Sequence, residues 1–521
     1  MPYQPPPHLT QHWQVTKPAA HGRRGMVVSQ SRDAALAGVA VLDGGGNAVD
    51  AAVATALALA AVEPWNSGLG GIGFALVHRA GQGRAEVVDF GPRAPGRLDP
   101  SAFKLTGREK PDLFTWPEVE GDANIHGPLS FAVPSAVAGY AHMHGRWGVL
   151  PLHDIMAPAI ALARRGLPQD WFTTLKVANS AAVLRMYPES ARIYLPGGLP
   201  PVAPYQGNPG AFPLGNLLAT LEHLAGAGLR DFYEGDVAAS VAADVAAMGG
   251  VLDADDLRRC EAAVLPAQEA AWGGRTLQMA GGLTAAPTLA RVLNGLPAGH
   301  PAPDAAWFVA LARAMKAAYA ERLAGLGDAE PKAAESCTTH LTVCDAAGTM
   351  VSMTTTLLSS MGSRVVLPGS GVLMNNGVMW FDPRPGQANS VGPGKRPLTN
   401  MCPVILRDGD RPVLAAGASG GRRILAAVLQ MLAFVDRFGM DPQAAAHHPR
   451  IDVSDAETVH ADARLPADVL AALQADGPTE VVEHQVVPVN FACPNLILDR
   501  NGLRTGISDA MSPWSAAVAQ A

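Results

Sequence analysis

The chain has 521 residues, is 48% hydrophobic and only 16% charged, and carries a formal net charge of −7. A mildly acidic chain without a run of five or six like charges disfavours nucleic acid or an anionic membrane as its partner. Five scattered cysteines (Cys260, Cys337, Cys344, Cys402, Cys493) with no C-x-x-C pair argue against a disulfide framework or a zinc site and fit a reducing compartment. Length alone suggests about three domains at roughly 150 residues each.

Residues 1–25, with Pro5 to Pro7 in a row, read as an irregular arm without the apolar core of a secretory signal. The longest apolar run, "AVDAAVATALALAAV", contains Asp50 and is too short to cross a bilayer, so a cytoplasmic location is expected. "GMVVSQ" predicts a strand, and "SRDAALAGVAVLDGGG" a helix ending in glycines. "NAVDAAVATALALAAVEP" predicts a buried helix, apolar on nearly every side, with Asn47 as N-cap and Pro64 as the stop.

"SGLGGIGFALVH" and "AEVVDFGPRAP" follow as a strand pair. Gly68 to Gly73 match G-x-G-x-x-G, but a helix precedes the glycines and a strand follows, the reverse of a dinucleotide site. The expectation is a loop whose backbone comes close to a pocket. Residues from about 130 to 330 are helix-rich, and 325–337 read as a linker. "THLTVCD", "TMVSMTTTL", "GVLMNN", "CPVILRD" and "PVLAAGASGG" then read as strands, followed by a helix over "RRILAAVLQMLAFVDRFG". Helices on either side of a strand-rich centre suggest sheets sandwiched between helices.

No histidine has a partner at metal-ligand spacing and there is no G-x-S-x-G elbow. "GASGGRRI" (417–424) sits between a strand and a helix, where backbone N–H groups of Gly420 and Gly421 suit an oxyanion. The hydroxyls concentrate elsewhere: "THLTVCD" and "TMVSMTTT" flank a turn at Asp345 to Gly348 and form a threonine-rich hairpin. Threonine is common in strands. As a nucleophile it needs an adjoining base, and one solution is its own α-amino group, which titrates near 7.7–8.0 when free. Mid-chain that nitrogen is an amide, so such chemistry requires a cut directly before the threonine.

These residues resemble the γ-glutamyltranspeptidase family of N-terminal-nucleophile hydrolases. The motifs run in family order along nearly the whole chain: "GGNAVDAAVATALALAAVEP", "SGLGGIGFALV", "DFGPRAP", "TTHLTVCDAAGTMVSMTTTL", "GSGVLMNN", "PGKRPLTNMCP", "GASGGRRI" and Pro449-Arg450. The resemblance implies an α+β fold, a four-layer αββα sandwich, made as one precursor. Self-cleavage between Cys337 and Thr338 would give a large chain (26–337 after the arm) and a small chain (338–521) interleaved in one domain. The pieces would associate as a heterodimer, and such heterodimers can pair further. By the same likeness Thr338 is the nucleophile, Thr356 bonds to it, and Gly420 and Gly421 form the oxyanion hole, with no metal or organic cofactor.

The substrate positions depart from the family pattern. Members that bind γ-glutamyl groups carry Arg after Asp-Phe, where this chain has Gly91, with Arg93 two places on. Leu358 replaces an Asn, Trp380 the aspartate that holds the α-amino group, and Thr399-Asn400 a Ser-Ser pair. Charged hydrogen bonds contribute about 1.5–3 kcal/mol each, so losing several weakens glutathione binding by orders of magnitude. The implied activity is amide hydrolysis on an acyl group other than a standard γ-glutamyl, as in relatives that act on oxamate or on glutaryl side chains of cephalosporins. The alternatives are a genuine glutathione hydrolase or transpeptidase using other contacts, and an uncleaved binding protein that keeps the fold.

Overall fold

The computed structural model describes residues 13, 15–109, 116–297, 299–326 and 336–521. Most of the arm and most of the 325–337 linker lie outside them. Of the arm, Ala20–Gly22 is not irregular: it pairs with Leu503–Ser508 at the edge of a sheet.

Two antiparallel sheets, seven-stranded among the described residues, lie face to face. The first runs Ala516–Ala519, Met26–Ser29, Ser336–Cys344, Met350–Ser359, Ile72–His78, Glu86–Phe90, Ala263–Pro266. The second runs Ala20–Gly22, Leu503–Ser508, Cys493–Arg500, Arg411–Ser419, Val404–Asp408, Arg275–Met279, Gln268–Trp272. The strand period of two explains the layering. In the first sheet Val27, Ala75 and Val77 face helices, whereas Met26, Val28, Phe74 and Leu76 face the second sheet. Burial on both sides makes these strands read as continuous apolar runs.

Helices Arg32–Asp43 and Ala48–Val62 cover the first sheet, and Ile424–Leu432 with Ala305–Leu326 cover the second. All residues of Ala48–Val62 are buried, as its all-round apolar pattern requires. Asn47 and Asp50 close a reciprocal capping box at its start. Among the described residues no helix is long and apolar enough to cross a membrane.

One further expectation changes. "GVLMNN" forms isolated bridges rather than a strand: Leu373 meets Val366 and Met374 meets Gly70. Asn375 and Asn376 take over, their side-chain amides donating to Gly70 O at 2.8 Å, Ala132 O at 3.0 Å and Ile125 O at 2.7 Å. The loop at Gly68 to Gly73 brings backbone against backbone. A Cβ at Gly70 would lie 2.3 Å from Leu373 O, and one at Gly73 2.3 Å from Thr354 O.

Candidate active site

The threonine hairpin occupies the middle of the first sheet. Its strands pair in register from Cys344 with Met350 to Thr339 with Thr355, and the register then slips by one, so that Cys337 pairs with Leu358. Thr338 therefore faces two residues, Thr356 and Leu357, across a β-bulge. Bulges re-aim a side chain where a ladder would otherwise fix it. Thr338 Oγ1 lies 3.3 Å from Thr356 Oγ1, which accepts the Leu358 N–H at 2.8 Å. Leu358, still paired with Cys337 in the ladder, has φ +86, unusual for a bulky residue.

Thr338 is 4% exposed and lines a pocket of about 230 Å³. Four elements converge on it. Gln30 follows the Met26–Ser29 strand, Glu63 ends the buried helix, Ser419-Gly420 end the Arg411–Ser419 strand, and Lys176 comes from helix Trp171–Leu184. Phe172, Val486, Pro488 and Val489 make the apolar wall. Gln30 ties the strands together: its side-chain amide donates to Ser419 Oγ and its carbonyl oxygen lies 3.2 Å from Thr339 Oγ1.

Thr339, beside Thr338, donates to the Glu63 carboxylate, whose other oxygen accepts from Asn66 Nδ2 at 2.8 Å. Burial pushes the Glu63 carboxyl up to about 7, against the pull of these two hydrogen bonds and of the Lys176 charge. In sequence Glu63 is only the residue before the Pro64 that stops the helix. The available signal is an acidic side chain directly closing an almost wholly apolar run.

Gly420 has φ +138, and a Cβ there would meet Ala492 Cα at 2.7 Å. It shares the Thr338 pocket, and Gly421 opens the single turn that leads into helix Ile424–Leu432. Backbone N–H groups at such a strand-to-helix corner suit a developing negative oxygen.

The other residues that the sequence suggests for substrate contact lie apart from this pocket. Arg93 donates to Gly394 O at 2.9 Å and lines a separate cleft of about 510 Å³ with Asp89, Asp256, Arg259 and Arg396. Thr399 donates to Leu283 O at 2.9 Å, and Arg322 grips Thr399 O at 2.7 Å and Asn400 Oδ1 at 3.0 Å, which makes that loop a framework segment. Leu358 and Trp380 are buried in the apolar cluster between the sheets with Ile72, Phe74 and Met379. Gly91 leaves no room for a longer side chain: a Cβ would lie 2.5 Å from Phe74 Cζ and 2.7 Å from Arg396 Nη2. Arg396 is itself held by both Asp89 carboxylate oxygens, at 2.5 and 2.9 Å.

Two facing sheets clad in helices on both outer sides are the architecture of the N-terminal-nucleophile hydrolases. Cephalosporin acylase from Bacillus halodurans has the same fold: TM-score 0.82 and 25% identity, covering 99% of this chain and 98% of that one. The profile described as Gamma-glutamyltranspeptidase matches residues 34–337 and 329–516. The chain belongs to the gamma-glutamyltranspeptidase family and is an enzyme of that family. Acylase ACY 1 proenzyme of Pseudomonas sp. (strain V22) is 30% identical over 91% of this chain and 90% of its own length. Glutathione hydrolase proenzyme of Bacillus subtilis (strain 168) is 28% identical, over 94% and 90%.

Proposed function

We propose that the chain is a precursor that cuts itself between Cys337 and Thr338, and that the freed Thr338 hydrolyses an amide whose acyl group lacks the γ-glutamyl head. One observation carries this: Thr338 Oγ1 lies 3.3 Å from Thr356 Oγ1 at a β-bulge in a buried pocket. In the precursor, Thr338 Oγ1 attacks the Cys337 carbonyl carbon and the peptide C–N bond breaks, leaving an ester and a free amine. Water then opens the ester to the Cys337 carboxylate and the Thr338 hydroxyl. The relatives named as proenzymes support such processing, with the two pieces staying together as a heterodimer.

In turnover the Thr338 amine takes the hydroxyl proton as Oγ1 attacks the substrate carbonyl, and hands it to the departing nitrogen. Gly420 and Gly421 N–H groups receive the oxyanion, and water releases the acyl group. The preference for a non-γ-glutamyl acyl rests on Trp380 and Leu358 in an apolar cluster and on the space at Gly91, which Phe74 and Arg396 fill. Arg93, Thr399 and Asn400 remain proposed substrate contacts only for a substrate reaching beyond the Thr338 pocket.

Intact-mass measurement is expected to give pieces of 337 and 184 residues, and Thr338→Ala a single uncut chain without activity. A cut elsewhere, or turnover by an uncut chain, removes the proposal. On the cut enzyme, glutaryl p-nitroanilide is expected to exceed γ-glutamyl p-nitroanilide in kcat/KM by at least about tenfold, the equivalent of one lost charged hydrogen bond. The reverse order replaces this reading with glutathione hydrolysis.

A further inference from the structure

The pocket that holds Thr338 contains a buried carboxyl for which the reaction above has no use. Among the residues that line it, Glu63 is the single acidic one. Glu63 is 4% exposed, ends the buried helix Ala48–Val62, and is fixed from two sides by Asn66 and by Thr339, the residue next to Thr338. The groups facing it are Thr339 from its strand, Asn66 from its own loop and Lys176 from helix Trp171–Leu184, with Gln30 lining the same pocket. Arg423 and Cys493 complete the ionisable lining, and burial pushes the Cys493 thiol up to about 12, so it is neutral.

A buried carboxyl is tolerated where hydrogen bonds and a cation compensate it, here Thr339, Asn66 and Lys176. Cutting the chain before Thr338 creates an ammonium group in this same pocket. Burial alone lowers the proton affinity of an amine and makes it a poor base; a nearby carboxylate restores it. We propose that Glu63 is a positioning residue that sets the proton affinity of the Thr338 α-amine in the cut enzyme. This rests on the reading of Thr338 as the freed nucleophile. Glu63 carries no proton in the reaction; it acts through its charge on the amine that does. Its own ionisation fits that part. In the uncut chain the carboxyl sits near 7, ready to lose its proton once an opposite charge forms beside it.

The test measures the amine directly. Cut wild-type enzyme and cut Glu63→Gln are labelled competitively with acetic anhydride from pH 5 to 10, and the peptide beginning at Thr338 is read by mass spectrometry. The labelling midpoint of Glu63→Gln is expected to fall by at least about half a pH unit, threefold in proton affinity. The acid limb of kcat/KM for glutaryl p-nitroanilide is expected to move with it, and Glu63→Asp to recover part of the shift. An unmoved midpoint in Glu63→Gln overturns the proposal. If that variant does not accumulate as cut protein, Glu63→Asp decides: drawing the carboxylate back lowers the midpoint, and an unmoved one overturns the proposal. Absence of any wild-type peptide beginning at Thr338 removes the nucleophile assignment instead, a different and separately visible failure.

Discussion

His340 follows the two threonines of the first strand, yet its chemistry is that of a core residue. Its ring is buried between the sheets, with Nδ1 2.8 Å from Thr354 Oγ1 and Nε2 3.3 Å from Thr342 Oγ1. Burial pushes its pKa from the usual 6.5 down to about 3. The folded chain therefore refuses a proton that the unfolded chain accepts, and stability falls as pH drops from about 6.5 towards 3, by up to about 1.4 kcal/mol per pH unit. Gly417 of the facing sheet lies flat against this ring: a Cβ there would come within 2.1 to 2.5 Å of three ring atoms. Neither the sheet backbone nor the hydrogen-bonded ring can retreat. Gly417→Ala is expected to destabilise the protein by roughly 1–3 kcal/mol, the range for overpacked cores, read as a lower midpoint in urea unfolding. The threonines themselves were legible because a hydroxyl cluster is rare in so apolar a chain. Glu63 was not, since only the fold brings a helix end against Thr339. Arg93 was equally opaque: its place in the chain puts it near the first motif, but its guanidinium turns to Gly394.

Elements with complete local signals matched the structure. The turn between the threonine strands closes as composition suggests, with Asp345 Oδ1 accepting the Thr349 N–H at 2.9 Å and Gly348 at φ +92. The buried helix begins at Asn47, whose Oδ1 accepts from Val49 N at 2.9 Å and Asp50 N at 3.0 Å, while Asp50 Oδ2 returns a bond to Asn47 N at 3.1 Å. Asn47→Ala removes the cap and is expected to cost about 1 kcal/mol, measured as a fall in unfolding free energy. Because this helix ends at Glu63 and packs under the site, looser fraying at its start is the milder of the two ways to disturb it. Signals that depend on a neighbour were lost. The bulge at Thr338 breaks the period of two without any mark in composition, and "GVLMNN" looks like a strand because its apolar residues are buried by bridges and asparagine bonds instead of a ladder.

At the scale of the whole molecule, four layers could be anticipated from helices surrounding a strand-rich centre and from the family likeness, but strand order could not. Parallel and antiparallel neighbours read alike when both faces are buried, and nothing in a short apolar run states its partner. Strand order is what makes the 337–338 junction unusual. Met26–Ser29, Ile72–His78, Glu86–Phe90 and Ala263–Pro266, all before it, share the first sheet with Met350–Ser359 and Ala516–Ala519 after it. The second sheet mixes the two sides likewise, Arg275–Met279 lying beside Val404–Asp408. A break in the covalent thread there would leave neither fragment a complete layer of its own. Like clasped fingers, the two parts could separate only by melting both sheets together, so a severed molecule would live and die as a single body.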